Sequence, residues 1–396
     1  MPLNLDADRI SAKEFWEKWE LGEAHSTMPT VVAQKEDAAA DFAQGVGFAQ
    51  QQDWRNAEIS FRKAIALDPN YANAYNNLGV ALNEQGKTGE AIAAFQKAIS
   101  LNPDDAEAYS NLGFVLGRQV KTAEAIAAFQ KAISLNPNDA SAYYNLGVAL
   151  NEQGKTAEAI TALQKAVSLN PNDANAYSNL GDALREQGKL AEAITACQKA
   201  ISLNSSYANA YNNLGNALGK QGKLAEAIAA FQKAISLNPN LSTAYYNLGV
   251  VLDEQGKTAA ATTAYQKAIS LNPNDARAYN NLGNALGEQG KTAEAIAALQ
   301  KAISLNPNDA NAHNNLGTTL GRQGKTAEAI AAFQKTISLN PNDADAYSNL
   351  GFALNEQGKT AEAIAAFQKA RDLYRSQGKT QDVDQITQAL KQLGSR

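Results

Sequence analysis

The pentapeptide YNNLG at Tyr75–Gly79 returns unchanged at Tyr211 and Tyr279. With one or two letters altered it stands at Tyr109, Tyr143, Tyr177, Tyr245, His313 and Tyr347, always at an interval of 34 residues. A chain of 396 residues would otherwise suggest two or three globular domains. A fixed period overrides that expectation, because repeat arrays grow by stacking and not by enlarging one core. The question is what each place in the repeat is for, above all the Asn before Leu-Gly, which never varies across the nine occurrences.

Counting from Ala72 as position 1, Gly holds position 8 and Ala holds position 20 in all ten copies, from Gly45 to Gly351 and from Ala57 to Ala363. Position 24 is mostly Phe, with Leu163, Leu299, Tyr265 and Cys197 as variants. Position 27 is Ala except at Thr336, and Pro holds position 32 in eight copies. Each repeat reads as two antiparallel helices. Asp at position 34, as in Asp105 and Asp139, caps the first. Gly at position 15, as in Gly86, ends it with a left-handed residue, and Val120 departs from that rule. Thr at position 17, as in Thr88, opens the second, and Pro at position 32 follows its end. Small residues at positions 8, 20 and 27 face bulky ones at 4, 7, 11 and 24. Glycine in mid-helix costs up to ~1 kcal/mol against alanine, so its recurrence implies a close helix approach.

A helix advances about 100° per residue. Positions 4, 7, 8 and 11 therefore share the core side of the first helix, and positions 2, 5, 6, 9 and 13 the opposite side. The Asn row belongs to that second side: Asn77, Asn111, Asn145, Asn179, Asn213, Asn247, Asn281, Asn315 and Asn349. An Asn amide both donates and accepts, so it can hold a peptide bond, which presents one C=O and one N–H. Two other readings stand beside this one: bonding between neighbouring repeats, or mere survival of recent duplication. Specificity would come from the variable places nearby, with Tyr144 and Tyr246 at position 5 and Asp182 at position 9 as candidates. Phe114 and Phe352, also at position 9, are read either as groove aromatics or as packing against an adjacent first helix. Position 13 is mostly Glu, read as a solvated face.

The set of aromatic, Leu-Gly, aromatic or Leu, Ala, Phe, Ala and Pro at fixed offsets within 34 residues resembles the tetratricopeptide repeat. Trp is usual at position 4 of that family, and Tyr stands here. The resemblance spans residues 38–375 and implies an all-α, right-handed superhelical solenoid of antiparallel helix pairs, about ten repeats, whose first helices line a concave groove. The wording AYNNLG…AIAAFQKAISLNPN is similar to repeats of the O-linked N-acetylglucosamine transferases and of bacterial, including cyanobacterial, repeat proteins. In the transferases an asparagine ladder at this position binds the backbone of substrate peptides, which implies the same role for the nine asparagines here. No catalytic glycosyltransferase domain is present in this chain.

The ends differ from the array. Residues 1–22 read as an amphipathic helix, capped by Ser11 and Glu14, with Phe15, Trp16 and Trp19 on one face. A linker is expected over 23–37, repeats over 38–375, and a capping helix over 376–396, where Val383, Ile386, Leu390 and Leu393 form one stripe.

Composition narrows the function. The net charge of −5 argues against nucleic acid, which calls for a basic stripe. No run approaches the ~18 apolar residues that span a bilayer, and the N-terminal stretch lacks a secretory apolar core, so a cytoplasmic protein is expected. Cys197, the single cysteine, sits at a core position. His25 and His313 have no partners at metal-ligand spacing. No nucleophile, general base or phosphate loop stands out, so no enzyme activity, cofactor or metal is expected. The expected function is a scaffold that binds proteins or extended peptides in its groove. The alternatives are a substrate-recruiting subunit acting with an enzyme such as a glycosyltransferase, and a structural assembly scaffold that uses its ends or convex face. Oligomerisation is possible but not indicated.

Overall fold

The computed structural model describes residues 28–394. The expected tryptophan helix over 1–22, with Trp16 and Trp19, lies outside the described residues. Within them are twenty-one helices and no strand. They divide into two compact units, one ending at Lys189 and the other beginning at Leu190. The boundary falls inside one repeat, between its first helix Ala174–Glu186 and its second, Leu190–Leu203. Inside each unit every helix packs on the helix before it and the helix after it, and first helices of successive repeats also touch. The fold is an all-α solenoid of helix pairs, with first helices of 13 residues such as Ala72–Glu84 and second helices of 14 such as Thr88–Leu101.

The glycine at position 8 is explained by position 24. A Cβ built on Gly79 would lie 2.6 Å from the Phe95 ring, and one on Gly215 would lie 2.6 Å from that of Phe231. Phe95 and Phe231 are each 1% exposed. Burying such a ring is worth about 1.5–3 kcal/mol, which outweighs the ~1 kcal/mol that glycine costs the helix. In the copy that holds Leu299 the same clash is with that side chain, at 2.5 Å from Gly283. Phe, Leu and Tyr all fill this slot, and Cys197 in it is fully buried.

The turns follow from single residues. The first helix ends in a pair of bonds, Gly86 N–H to the Asn83 carbonyl and Lys87 N–H to the Leu82 carbonyl, both 2.9 Å. This closure needs a left-handed residue between them, and Gly86 supplies φ +76°. Val120 adopts the same conformation with φ 60° and makes the same bonds without glycine's freedom. Asp139 caps the next first helix, its carboxylate accepting from the N–H groups of Ser141 and Ala142 at 2.9 and 3.0 Å. Where the cap position holds Tyr71 or Leu241 no side chain caps the helix.

Thr88 opens the second helix as its first residue, after Lys87, which makes no side-chain cap bond. One expectation is corrected here. The stretch expected as linker over 23–37 is helical from residue 28, because the first helix of the array runs Met28–Gln50. Pro29 stands in its first turn, where a missing N–H costs nothing, and no Pro or Gly follows until Gly45. At the other end the last second helix reaches Ser376, and Thr380–Gly394 packs on it with Ile386 and Leu393 buried.

Candidate functional site

The asparagines at position 6 are not simply turned outward. Asn77 and Asn111 are buried, and the other seven are half-buried. Helical angles alone place position 6 opposite the core. The next first helix, packed alongside, closes over part of that side. Position 5 is buried for the same reason at Asn76, Ser178, Asn212 and Ser348.

The amides join consecutive repeats. In the first unit, Asn111 Nδ2 donates to Asn76 Oδ1 at 3.1 Å and Asn179 Nδ2 donates to the Tyr144 hydroxyl at 3.0 Å. In the second unit, Asn247 donates to Asn212, Asn315 to Asn280 and Asn349 to Asn314, at 3.0, 3.0 and 3.2 Å. Asn281 donates to the Tyr246 hydroxyl at 3.4 Å. Each bond runs from position 6 of one repeat to the position-5 oxygen of the preceding one. Asn77 instead bonds its own helix at the Asn73 carbonyl, 3.0 Å away. The Asn213 Oδ1 accepts from Asn212 at 3.5 Å. The position-5 residue before Asn145 is Ser110, and no hydrogen bond reaches the Asn145 amide from the described residues.

The specificity candidates are held by the same contacts. Tyr246 accepts from Asn281, lies 6.1 Å from the Tyr265 ring, and carries the Arg277 guanidinium 4.9 Å above its face. Burial, with Asp275 nearby, raises its phenol against the pull of Arg277. Asp182 is gripped by Arg185 through Nε at 3.0 Å and Nη2 at 2.7 Å. Phe114 packs into the core cluster of the first unit, whereas Phe352 is 54% exposed. The glutamates at position 13 are exposed.

Sequence reasoning missed the neighbouring position 12. Asp253 there has a buried Oδ1 without a partner among the described residues. Burial pushes its carboxyl above the usual carboxylate range, and Glu288 adds to the shift. The signal was available: the other copies that have a hydrogen-bonding side chain of this size there have Asn. Among the described residues no group of His, Cys, Asp and Glu could hold a metal ion, and no helix is long and apolar enough to cross a membrane.

Stacked helix pairs locked by a glycine against a Phe, Tyr or Leu side chain, and bonded through an amide at six junctions within the units, define an α-helical repeat protein. Sequence models of three families match the chain. The C-terminal domain of cilia and flagella-associated protein 70 matches residues 11–209, the tetratricopeptide domain of cytochrome c-type biogenesis protein H matches 269–381, and the tetratricopeptide repeat itself matches 208–241 and 242–275. The chain belongs to the tetratricopeptide-repeat family. No curated protein sequence matches it. Among solved structures, the APC/C hetero-tetramer Cut9-Hcn1 is 17% identical, with TM-score 0.55, over 90% of this chain and 76% of that one. This similarity extends to the fold alone. YrrB, described as a TPR protein with an unusual peptide-binding site, is 29% identical over 47% of this chain and 96% of its own, at TM-score 0.41. PilF of Pseudomonas aeruginosa is 22% identical over 52% and 94%, at TM-score 0.47.

Proposed function

We propose that this chain is a non-catalytic interaction scaffold that binds an extended peptide segment of a partner protein along the first helices of a unit. The observation that carries the reading is the set of cross-repeat amide bonds. Each uses one of the two Nδ2 hydrogens and leaves Oδ1 acceptor capacity to other partners; the second hydrogen is also left, except at Asn179, which donates it to the Asn175 carbonyl at 3.1 Å. An amide already pinned by its neighbour loses little conformational freedom when a ligand binds. The bridging role and the binding role are therefore compatible, and the first prepares the second. The resemblance to ladders that grip peptide backbones supports the same reading.

Asn145 separates the two roles, because its removal breaks no side-chain hydrogen bond among the described residues. Peptides would be selected from a randomised display library on the full chain and titrated against Asn145→Ala and Asn111→Ala. A backbone grip of 0.5–1.5 kcal/mol per bond predicts a loss of about two- to tenfold for Asn145→Ala, with no change in melting temperature. Asn111→Ala should lower both affinity and stability. Unchanged affinity for every selected peptide in both variants would sink the reading and leave the asparagines as junction residues.

A further inference from the structure

We propose that Phe352 is the specificity residue of the binding face in the second unit, and that it takes a bulky apolar side chain of an extended peptide. This inference rests on the peptide-binding reading above and names the ligand class for one end of that face.

Position 9 shows what the protein does with a phenylalanine there when it is meant to be covered. Phe114 shares a small cleft with Val80 and Asn83 of the preceding repeat, together with Phe95 and Asn111. In the last repeat the two preceding-repeat places hold Thr318 and Gly321. A Cβ on Gly321 would meet only the Ala329 Cβ, at 3.9 Å, so that floor is open. Phe352 is left 54% exposed. Ile59 and Val120 are the other exposed large hydrophobic residues among those described, and both lie off this face, on a second helix and in a turn. The Phe352 ring is nonetheless fixed. It stands edge-on to Phe367, with centroids 4.9 Å apart and planes at 77°.

A backbone grip lies one turn away. Asn349, three residues before Phe352, is pinned by Asn314, and Asn315 is pinned by Asn280. One helical turn is about 5.4 Å and an extended chain advances about 3.3 Å per residue. A peptide held at Asn349 thus brings a side chain to the ring within one or two residues. The size of the exposed patch decides between occupants. An aromatic ring buries about 150–250 Å², far below the roughly 1,200 Å² of a stable protein–protein interface. That suits one side chain of a peptide held elsewhere by its backbone, and not a second folded copy.

The test is display selection of randomised peptides on the full-length chain, on Phe352→Ala and on Gly321→Leu. Gly321→Leu fills the open floor and should keep or raise helical stability. The wild type should enrich peptides with Leu, Ile, Phe or Trp at one position. Both variants should lose that preference while still enriching peptides, and a synthetic wild-type consensus peptide should bind each about tenfold more weakly. Circular dichroism melts would confirm that both variants are folded. If the wild type enriches no peptide, the peptide-binding reading itself fails. If it enriches peptides and the variants keep the same apolar preference, only the role of Phe352 is overturned. A wild-type dimer in light scattering that Phe352→Ala abolishes would also overturn it, by assigning the ring to a second copy.

Discussion

At the scale of single residues, two of the protein's departures from its own pattern should be correctable. Val120 holds the left-handed conformation that glycine holds in the equivalent turns, and its side chain is 85% exposed. A left-handed β-branched residue costs about 1–2 kcal/mol, and no packing offsets it. Val120→Gly should raise stability by about 1 kcal/mol, after part of the gain is lost to the greater freedom of glycine in the unfolded chain. Chemical denaturation would measure this, and a destabilised variant would show that the strain is absent. Asp253 is the second departure. Its folded-state affinity for a proton is raised, so ionisation costs stability above the unfolded carboxylate range and the cost fades as pH falls below it. Asp253→Asn should therefore be more stable than the wild type at pH 7, with the difference vanishing below about pH 4. A constant difference across that range would remove the electrostatic explanation. The glycine at position 15 and the aspartate caps were legible in the sequence because each acts within a few residues of chain. Bonding between neighbouring repeats stood among the readings of Asn at position 6, but its burial and its position-5 partner were not legible, because that partner lies 35 residues away and helical angles do not show a neighbouring helix.

At the scale of elements, the junction between the first two repeats is built differently from the rest. Position 21 of a second helix is Ile in most copies but Glu58 in the first. Glu58 accepts from Lys87 at 2.7 Å, Gln85 at 2.9 Å and Arg62 at 3.0 Å, tying helix Trp54–Leu67 to the following repeat. Burial opposes its charge, yet these three donors hold the carboxyl below its ordinary value. A depressed carboxylate contributes stability above its unfolded pKa of about 4.5 and loses it as pH falls through the lower folded value. Glu58→Gln should thus be less stable than the wild type at pH 7, and the gap should close below about pH 4.5. This is the opposite sign to Asp253→Asn, so paired pH-dependent melts test both at once. A gap that persisted at pH 3 would assign the effect to shape and not to charge. Element boundaries in the array were legible from the period. The helical start at residue 28 was passed over, although Ser26 and Thr27 precede it in sequence, Pro29 stands in its first turn and no breaker follows from Thr30 to Gln44.

At the scale of the whole molecule, contacts inside each unit run between neighbours along the chain, so stability is a sum of local pairings and end effects matter. Helix Thr380–Gly394 covers the last repeat with Ile386 and Leu393, and Tyr374 adds a 2.6 Å bond to Asp345 beneath it. Deleting residues 377–396 should speed hydrogen exchange in residues 344–376 strongly, while residues 72–152 keep their protection. Equal acceleration in both regions would show global rather than local coupling. The amide junction has a consequence for how such a gene can change. Both halves of the bond, the position-5 oxygen and the position-6 nitrogen, belong to every repeat that has Asn or Tyr followed by Asn. The glycine–aromatic lock lies wholly within one copy. Inserting or excising a whole repeat between two such copies recreates the same bond at the new seam, with no compensating mutation. Copy number can therefore drift while each intermediate protein still folds, and the reach of the array becomes a heritable variable separate from its chemistry.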